Sequence, residues 1–63
     1  MFSFTKNYLR IIDFLNIIYM DDKMINIRFK NFTIKIQGSD LKITLFGFKE
    51  ILIKGTINNI EFY

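Results

Sequence analysis

Apolar side chains occupy every second position through most of the chain after residue 23. They alternate with polar residues in short runs that begin at Ile25, Phe32, Leu41 and Ile51. Successive side chains of a β-strand point to opposite faces, so this period of two is typical of strands with one buried face. Short alternating runs separated by turn residues indicate an antiparallel meander.

Turn-forming residues separate the runs. Asn31, Gly38-Ser39-Asp40 and Gly47 lie between them, and we interpret each as a break or turn. Gly55 lies inside the last run, where a glycine usually marks a bend or a close approach of backbone. We therefore assign Gly38, Gly47 and Gly55 structural roles in turns or bulges and no role in chemistry.

The last run changes phase. Ile53 and Ile57 have odd numbers, whereas Ile60 and Phe62 have even numbers. In a straight strand the two pairs would point to opposite faces of the sheet. Two explanations remain open: Asn58-Asn59 forms a bulge that restores the face, or the final residues serve a second apolar surface.

The first 22 residues are compatible with two kinds of secondary structure. Tyr8, Ile11, Leu15 and Ile18 fall at helical spacing, which favours a helix. The same segment is rich in β-branched and aromatic residues and has no alanine, which favours two short strands. Asp21-Asp22 then ends the segment as a turn. Over the whole chain we predict one all-β domain, residues 1–63, as an antiparallel meander of five to six strands curled into a roll or two-layer sheet.

The composition limits the chemistry. The chain of 63 residues has no cysteine and no histidine, so it has no disulfide, thiolate or imidazole ligand. We expect no cofactor and no metal; Asp21 and Asp22 could at most contribute to a loose oxygen-ligated cation site. Ser39 lies in turn sequence, and no acid pair is forced together, so we expect no enzyme activity. A domain this small is marginally stable alone, which favours self-association.

Several apolar residues fall opposite the predicted core and define a candidate interaction face. These residues are Met24, Phe46, Phe48, Leu52, Ile60 and Phe62. A small domain rarely shields two apolar faces, so an exposed one would bind a protein partner or a second copy. The alternative is that the sheet curls, or the N-terminal segment packs, to cover both faces. Phe29 and Phe32 share the parity of the core isoleucines and are predicted to be buried.

The lysines suggest an alternative function. Five of them fall on polar faces or at strand ends: Lys30, Lys35, Lys42, Lys49 and Lys54. A basic sheet face could bind nucleic acid or another polyanion. The net charge is only +3 because six acids balance the positive charge, so we favour a role in solubility and in protecting strand edges.

No segment is predicted to cross a membrane or direct export. The uncharged run from Phe14 to Met20 is far shorter than the roughly 20 residues that a membrane-spanning helix needs. Lys6, Arg10 and Asp13 interrupt the apolar stretch that a signal peptide would require. We therefore expect a cytoplasmic protein.

Most of the chain, including the region from Leu9 to Arg28, resembles a known family, and the resemblance is strongest over residues 24–63. Residues 32–43 have the form apolar-x-Ile-x-Ile-x-Gly-x-x-Leu-x-Ile, and residues 49–63 continue with a glutamate-led strand, Gly55-Thr-Ile57 and a terminal Ile-Glu-Phe-Tyr. This pattern is similar to the YabP/YqfC family of bacterial sporulation proteins. The resemblance implies strands rather than a helix in residues 1–22. It also implies a non-catalytic protein of the mother cell or spore coat, for which we expect a role in protein–protein assembly.

Overall fold

The computed structural model describes the backbone of residues 2–4 and 8–63, and the side chains of residues 8–45 and 47–63. In this described part of the chain, six antiparallel strands form one sheet in the order β1-β2-β6-β5-β4-β3. They are β1 (Phe2–Phe4), β2 (Leu9–Ile12), β3 (Asn16–Met20), β4 (Met24–Arg28), β5 (Thr33–Gly47) and β6 (Glu50–Phe62). The predicted all-β fold is confirmed. Strands in the N-terminal segment, implied by the family resemblance, are confirmed as well, and the helical spacing there is misleading.

The sheet consists of a four-stranded meander, β3 to β6, and the β1–β2 hairpin beside it. Strands β3 to β6 pair in chain order, as predicted. The hairpin of β1 and β2 then pairs with the other side of β6, so the chain crosses from one end of the sheet to the other between β2 and β3. Within the described residues no helix is long and apolar enough to cross a membrane.

The core lies on one face of this sheet. Directly paired residues share a face, and the register joins isoleucine to isoleucine, as in Ile25 with Ile36 and Ile27 with Ile34. The completely buried aliphatic side chains are Leu9, Ile11, Ile25, Ile27, Ile34, Ile36, Ile51 and Ile53. An open flat sheet would leave these side chains in water. Because they form one buried cluster, the sheet must curl over its own inner face, as the predicted roll requires.

A bulge in the middle of β5 corrects one sequence prediction. Gly38-Ser39-Asp40 does not end a strand, since β5 continues from Thr33 to Gly47. Asp40 has a φ of 54° and Gly55, across the ladder, has a φ of 124°. A Cβ atom on Gly55 would lie 2.5 Å from the Asp40 carbonyl oxygen, so this close approach of two strands requires glycine. The bulge bends the long β5–β6 hairpin and turns Leu41 into the core.

A second bulge explains the phase change in β6. Gln37 pairs with Asn59 and Gly38 pairs with Ile57, so Asn58 is the extra residue. The first of the two explanations is therefore confirmed. The inserted residue returns Ile60 to the inner face, where it pairs with Ile36 and packs against the core.

Candidate interaction surface

The register divides the predicted interaction face between two sides of the sheet. Leu52 pairs with Thr44 and Met24 pairs with Gln37, and both apolar side chains are half-buried on the outer face. Ile60 and Phe62 lie on the inner face instead, because of the bulge at Asn58. Grouping these residues on one face followed from the second explanation of the phase change, a second apolar surface, and the bulge excludes it.

The other two predicted residues lie at or near the turn between β5 and β6. Phe48 is in the turn and its side chain is 93% exposed. Phe46 belongs to β5, but its side chain lies outside the described part of the structure. The described members of the predicted set therefore do not form one continuous face, and Phe48 is the most exposed of them.

The outer face of the sheet is mostly polar. Arg10 of β2 donates to Glu50 of β6 across 2.7 Å, and Lys35 pairs with Glu61 across β5 and β6. Lys42 and Lys54 pair directly and both are exposed. The other two lysines of the predicted basic set, Lys30 and Lys49, lie in turns. The five lysines therefore do not form one basic face.

The turn of the β5–β6 hairpin packs against the connection between β2 and β3. The Lys49 ammonium donates to the Leu15 carbonyl oxygen at 2.5 Å, and the Asp13 amide donates to the Lys49 carbonyl oxygen at 3.0 Å. The same ammonium lies 5.8 Å from the centre of the Phe14 ring and 5.7 Å from that of Phe48. These distances permit attraction between the cation and both rings. The contacts place the exposed Phe48 beside the start of β3.

Strand β3 exposes apolar side chains at one end of the sheet. It pairs only with β4, so its other edge has no strand beside it in the described part of the chain. Ile18 is 52% exposed and Met20 is 57% exposed, and Leu15 and Tyr19 are exposed as well. The pairing with β4 has a bulge at Ile18. No residue of β3 carries a charge.

An acidic turn ends β3. The Asp21 carboxylate accepts hydrogen bonds from the Tyr19 hydroxyl at 2.6 Å and from the amides of Lys23 and Met24 at 2.7 Å each. The bond from Tyr19, and then those two amides, hold the pKa of Asp21 below its usual value. The bond to Asp21 and its negative charge raise the pKa of Tyr19. The sequence predicted a turn at Asp21-Asp22, but not the tyrosine two residues earlier as its partner.

We expect the contribution of this turn to folding stability to decrease in acid. Since the pKa of Asp21 is lower in the folded chain than in the unfolded chain, its stabilising contribution is present above the ordinary pKa of 3.8 and is lost as pH falls through the folded value. Tyr19→Phe removes the largest cause of the shift, so the pKa of Asp21 should rise toward 3.8. Carboxyl carbon NMR titration measures this change. Tyr63→Phe, which removes a hydroxyl bonded to Glu61, should leave the Asp21 titration unchanged; an equal shift in both variants would contradict the assignment.

Two open clefts flank the turn between β4 and β5. One, of about 190 Å³, is lined by Ile12, Asp13 and residues 29–32, and the other, of about 320 Å³, by residues 28–33 and Tyr63. The rings of Phe29 and Phe32 stack between them at 4.7 Å. Phe29 is buried and Phe32 packs against the core, as predicted.

Ser39 is exposed opposite Thr56, and the described residues contain no group of three acidic side chains placed to hold a metal.

The sequence was compared with protein-family models, curated proteins and solved structures. No curated protein and no solved structure is similar enough to count as a match. The model of the YabP family matches residues 5–63, which includes β2 to β6 and therefore the whole β5–β6 hairpin. This match agrees with the resemblance in residues 32–43 and 49–63. The chain belongs to the YabP family, which is associated with sporulation.

Proposed function

We propose that this chain is a non-catalytic module for protein–protein assembly during sporulation. One observation supports the proposal above the others: exposed apolar side chains gather along residues 15–20 and at the β5–β6 turn. Leu15, Ile18, Tyr19 and Met20 are all exposed, and Lys49 joins Leu15 to the turn that presents Phe48. Single exposed apolar residues are ordinary, whereas a gathered set is typical of a contact surface.

The absence of histidine and cysteine from the sequence supports a non-catalytic role, because general bases and nucleophiles are most often drawn from these residues. Membership in a sporulation-associated family supports action in the mother cell, with spore coat formation as the setting. Within this proposal the sheet is a scaffold. Its bent β5–β6 hairpin presents Phe48 to a partner, and the curled inner face holds the hairpin in place.

Localisation in sporulating cells tests the proposal. We expect a fluorescent fusion of the wild-type chain to collect at the developing spore, and Phe48→Ser to leave the fusion dispersed. Because Phe48 is almost fully exposed, this substitution should change stability by no more than about 0.5 kcal/mol. Thr44→Ser, on the outer face, is the matched control and should collect as the wild type does.

Two results would contradict the proposal. A Phe48→Ser fusion that collects normally would exclude the β5–β6 turn as a contact, and a wild-type fusion that stays dispersed would exclude recruitment altogether. Retention of the purified chain on heparin that falls steeply with salt would instead favour the polyanion alternative.

A further inference from the structure

We propose that two copies of this chain join edge to edge through β3, antiparallel and related by a twofold axis. The two six-stranded sheets then become one continuous sheet. The inference rests on the proposed assembly function and names its first partner, a second copy of the chain. Its test changes Ile18 in the β3 edge, whereas the test of the assembly function changes Phe48, so each can fail separately.

The edge of β3 lacks most protections against pairing. Exposed edge strands are usually guarded by lysine, proline, inward-pointing charge or a covering segment. Between Asn16 and Met20 the strand has no charge and no proline, and its one protection is the bulge at Ile18. Ile18 and Met20 are each more than half exposed. Pairing with another strand would satisfy the backbone groups of the free edge and cover part of both side chains.

The charges at the two ends of β3 select the partner and its orientation. Asp21 and Asp22 follow the strand, whereas the Lys49 ammonium lies at its beginning, bonded to the Leu15 carbonyl oxygen at 2.5 Å. Antiparallel pairing about an axis near Ile18 brings the acidic end of one copy to the Lys49 end of the other. Parallel pairing would place acids beside acids. A contact between Asp22 of one copy and Lys49 of the other can therefore form in the antiparallel orientation and not in the parallel one.

Asp22 is the acid available for this contact. The Asp21 carboxylate already accepts three hydrogen bonds within its own turn, from Tyr19, Lys23 and Met24. The Asp22 side chain is exposed, and its backbone carbonyl bonds to the Leu41 amide, which fixes the position of the residue. A strand of five residues and its neighbours gives an interface below roughly 1,200 Å², so we expect weak, reversible dimers with dissociation constants in the micromolar range.

Sedimentation equilibrium on the full chain tests the dimer. The wild type should show a monomer–dimer equilibrium, and Ile18→Lys should weaken it by about tenfold or more, because two lysines would meet near the axis. Thr44→Lys is the matched control: it adds the same charge at an exposed position on the outer face of a central strand. Its dimerisation should equal that of the wild type. Circular dichroism verifies that both variants are folded.

A charge exchange identifies the contact itself. Asp22→Lys and Lys49→Asp should each weaken the dimer, and the double variant should recover most of the loss, because the pair is restored with its signs reversed. Aspartate is accepted at residue 49, where φ is 59°. A double variant no tighter than the single ones would overturn the proposal, as would a wild type that is monomeric at high micromolar concentration. In the second case, normal recruitment that depends on Phe48 would leave the assembly function standing with a different partner.

Discussion

Replacing Gly38 by alanine is expected to remove most of the folding stability of the chain at 25 °C. A Cβ atom at this position would lie 1.9 Å from the backbone oxygen of Thr56 and 3.1 Å from the Ile57 Cα. Both neighbours are backbone of the paired strand, so only a separation of β5 from β6 would relieve the overlap. The Gly38 amide is also bonded to the Lys23 carbonyl oxygen at 2.9 Å, which opposes a shift of β5.

We estimate the cost of Gly38→Ala at about 3 kcal/mol or more, at the upper end of what overpacking usually costs. A domain of this size rarely has more than about 3–5 kcal/mol of stability in total. Far-UV circular dichroism and urea unfolding would measure the loss. Gly47→Ala is the matched control, since a Cβ atom at Gly47 meets nothing within 4 Å, and its urea midpoint should stay close to that of the wild type. A Gly38→Ala variant as stable as the control would mean that the close approach at this bulge does not exist.

Ile53→Ala is expected to have the next largest effect. Ile53 is fully buried and lies in a central row of the ladder, paired with Leu9 on one side and Ile43 on the other. Removing the outer carbons of Ile53 would reduce the buried apolar surface area and leave a cavity between β2, β5 and β6. Substitutions of this kind cost about 2–5 kcal/mol. The variant should therefore be at the limit of folding.

Leu45→Ala is the control for Ile53→Ala. Leu45 is 74% exposed although it pairs with Ile51 and has the parity of the core, so its loss should change stability by no more than about 0.5 kcal/mol. Urea midpoints of the two variants give the comparison. If Ile53→Ala lost no more stability than Leu45→Ala, the inner face would not be the closed core described above.

Local pattern was sufficient to predict much of this fold. The alternation of Ile25, Ile27, Ile34 and Ile36 with polar residues predicted which side chains are buried, because side-chain direction in a strand depends only on the neighbouring residues. Phe29 and Phe32 were assigned to the core by the same rule. The family resemblance was needed for residues 8–22, where helical spacing and strand propensity disagree.

The errors arose where distant residues decide the structure. Gly-Ser-Asp has the same local chemistry in a turn and in a bulge, and it is the pairing with residues 54–57 of β6 that makes residues 38–40 part of a bulged strand. The extra residue Asn58 moved Ile60 and Phe62 away from Leu52, which divided the predicted interaction face. The exposure of β3 could not be predicted from local pattern. It arises because β2 pairs with β6, about 40 residues away in the sequence, and not with β3.

The position of β6 has a consequence for biosynthesis. This strand is the last element of the chain described, yet it lies between β2 and β5 and contributes Ile51 and Ile53 to the core. Until the ribosome has made β6, the β1–β2 hairpin has no sheet to join and the inner faces of β4 and β5 have no closed core to enter. Folding must therefore wait for nearly all of residues 1–63 to be translated, and a nascent chain that stalls before residue 50 exposes its isoleucines to chaperones and proteases.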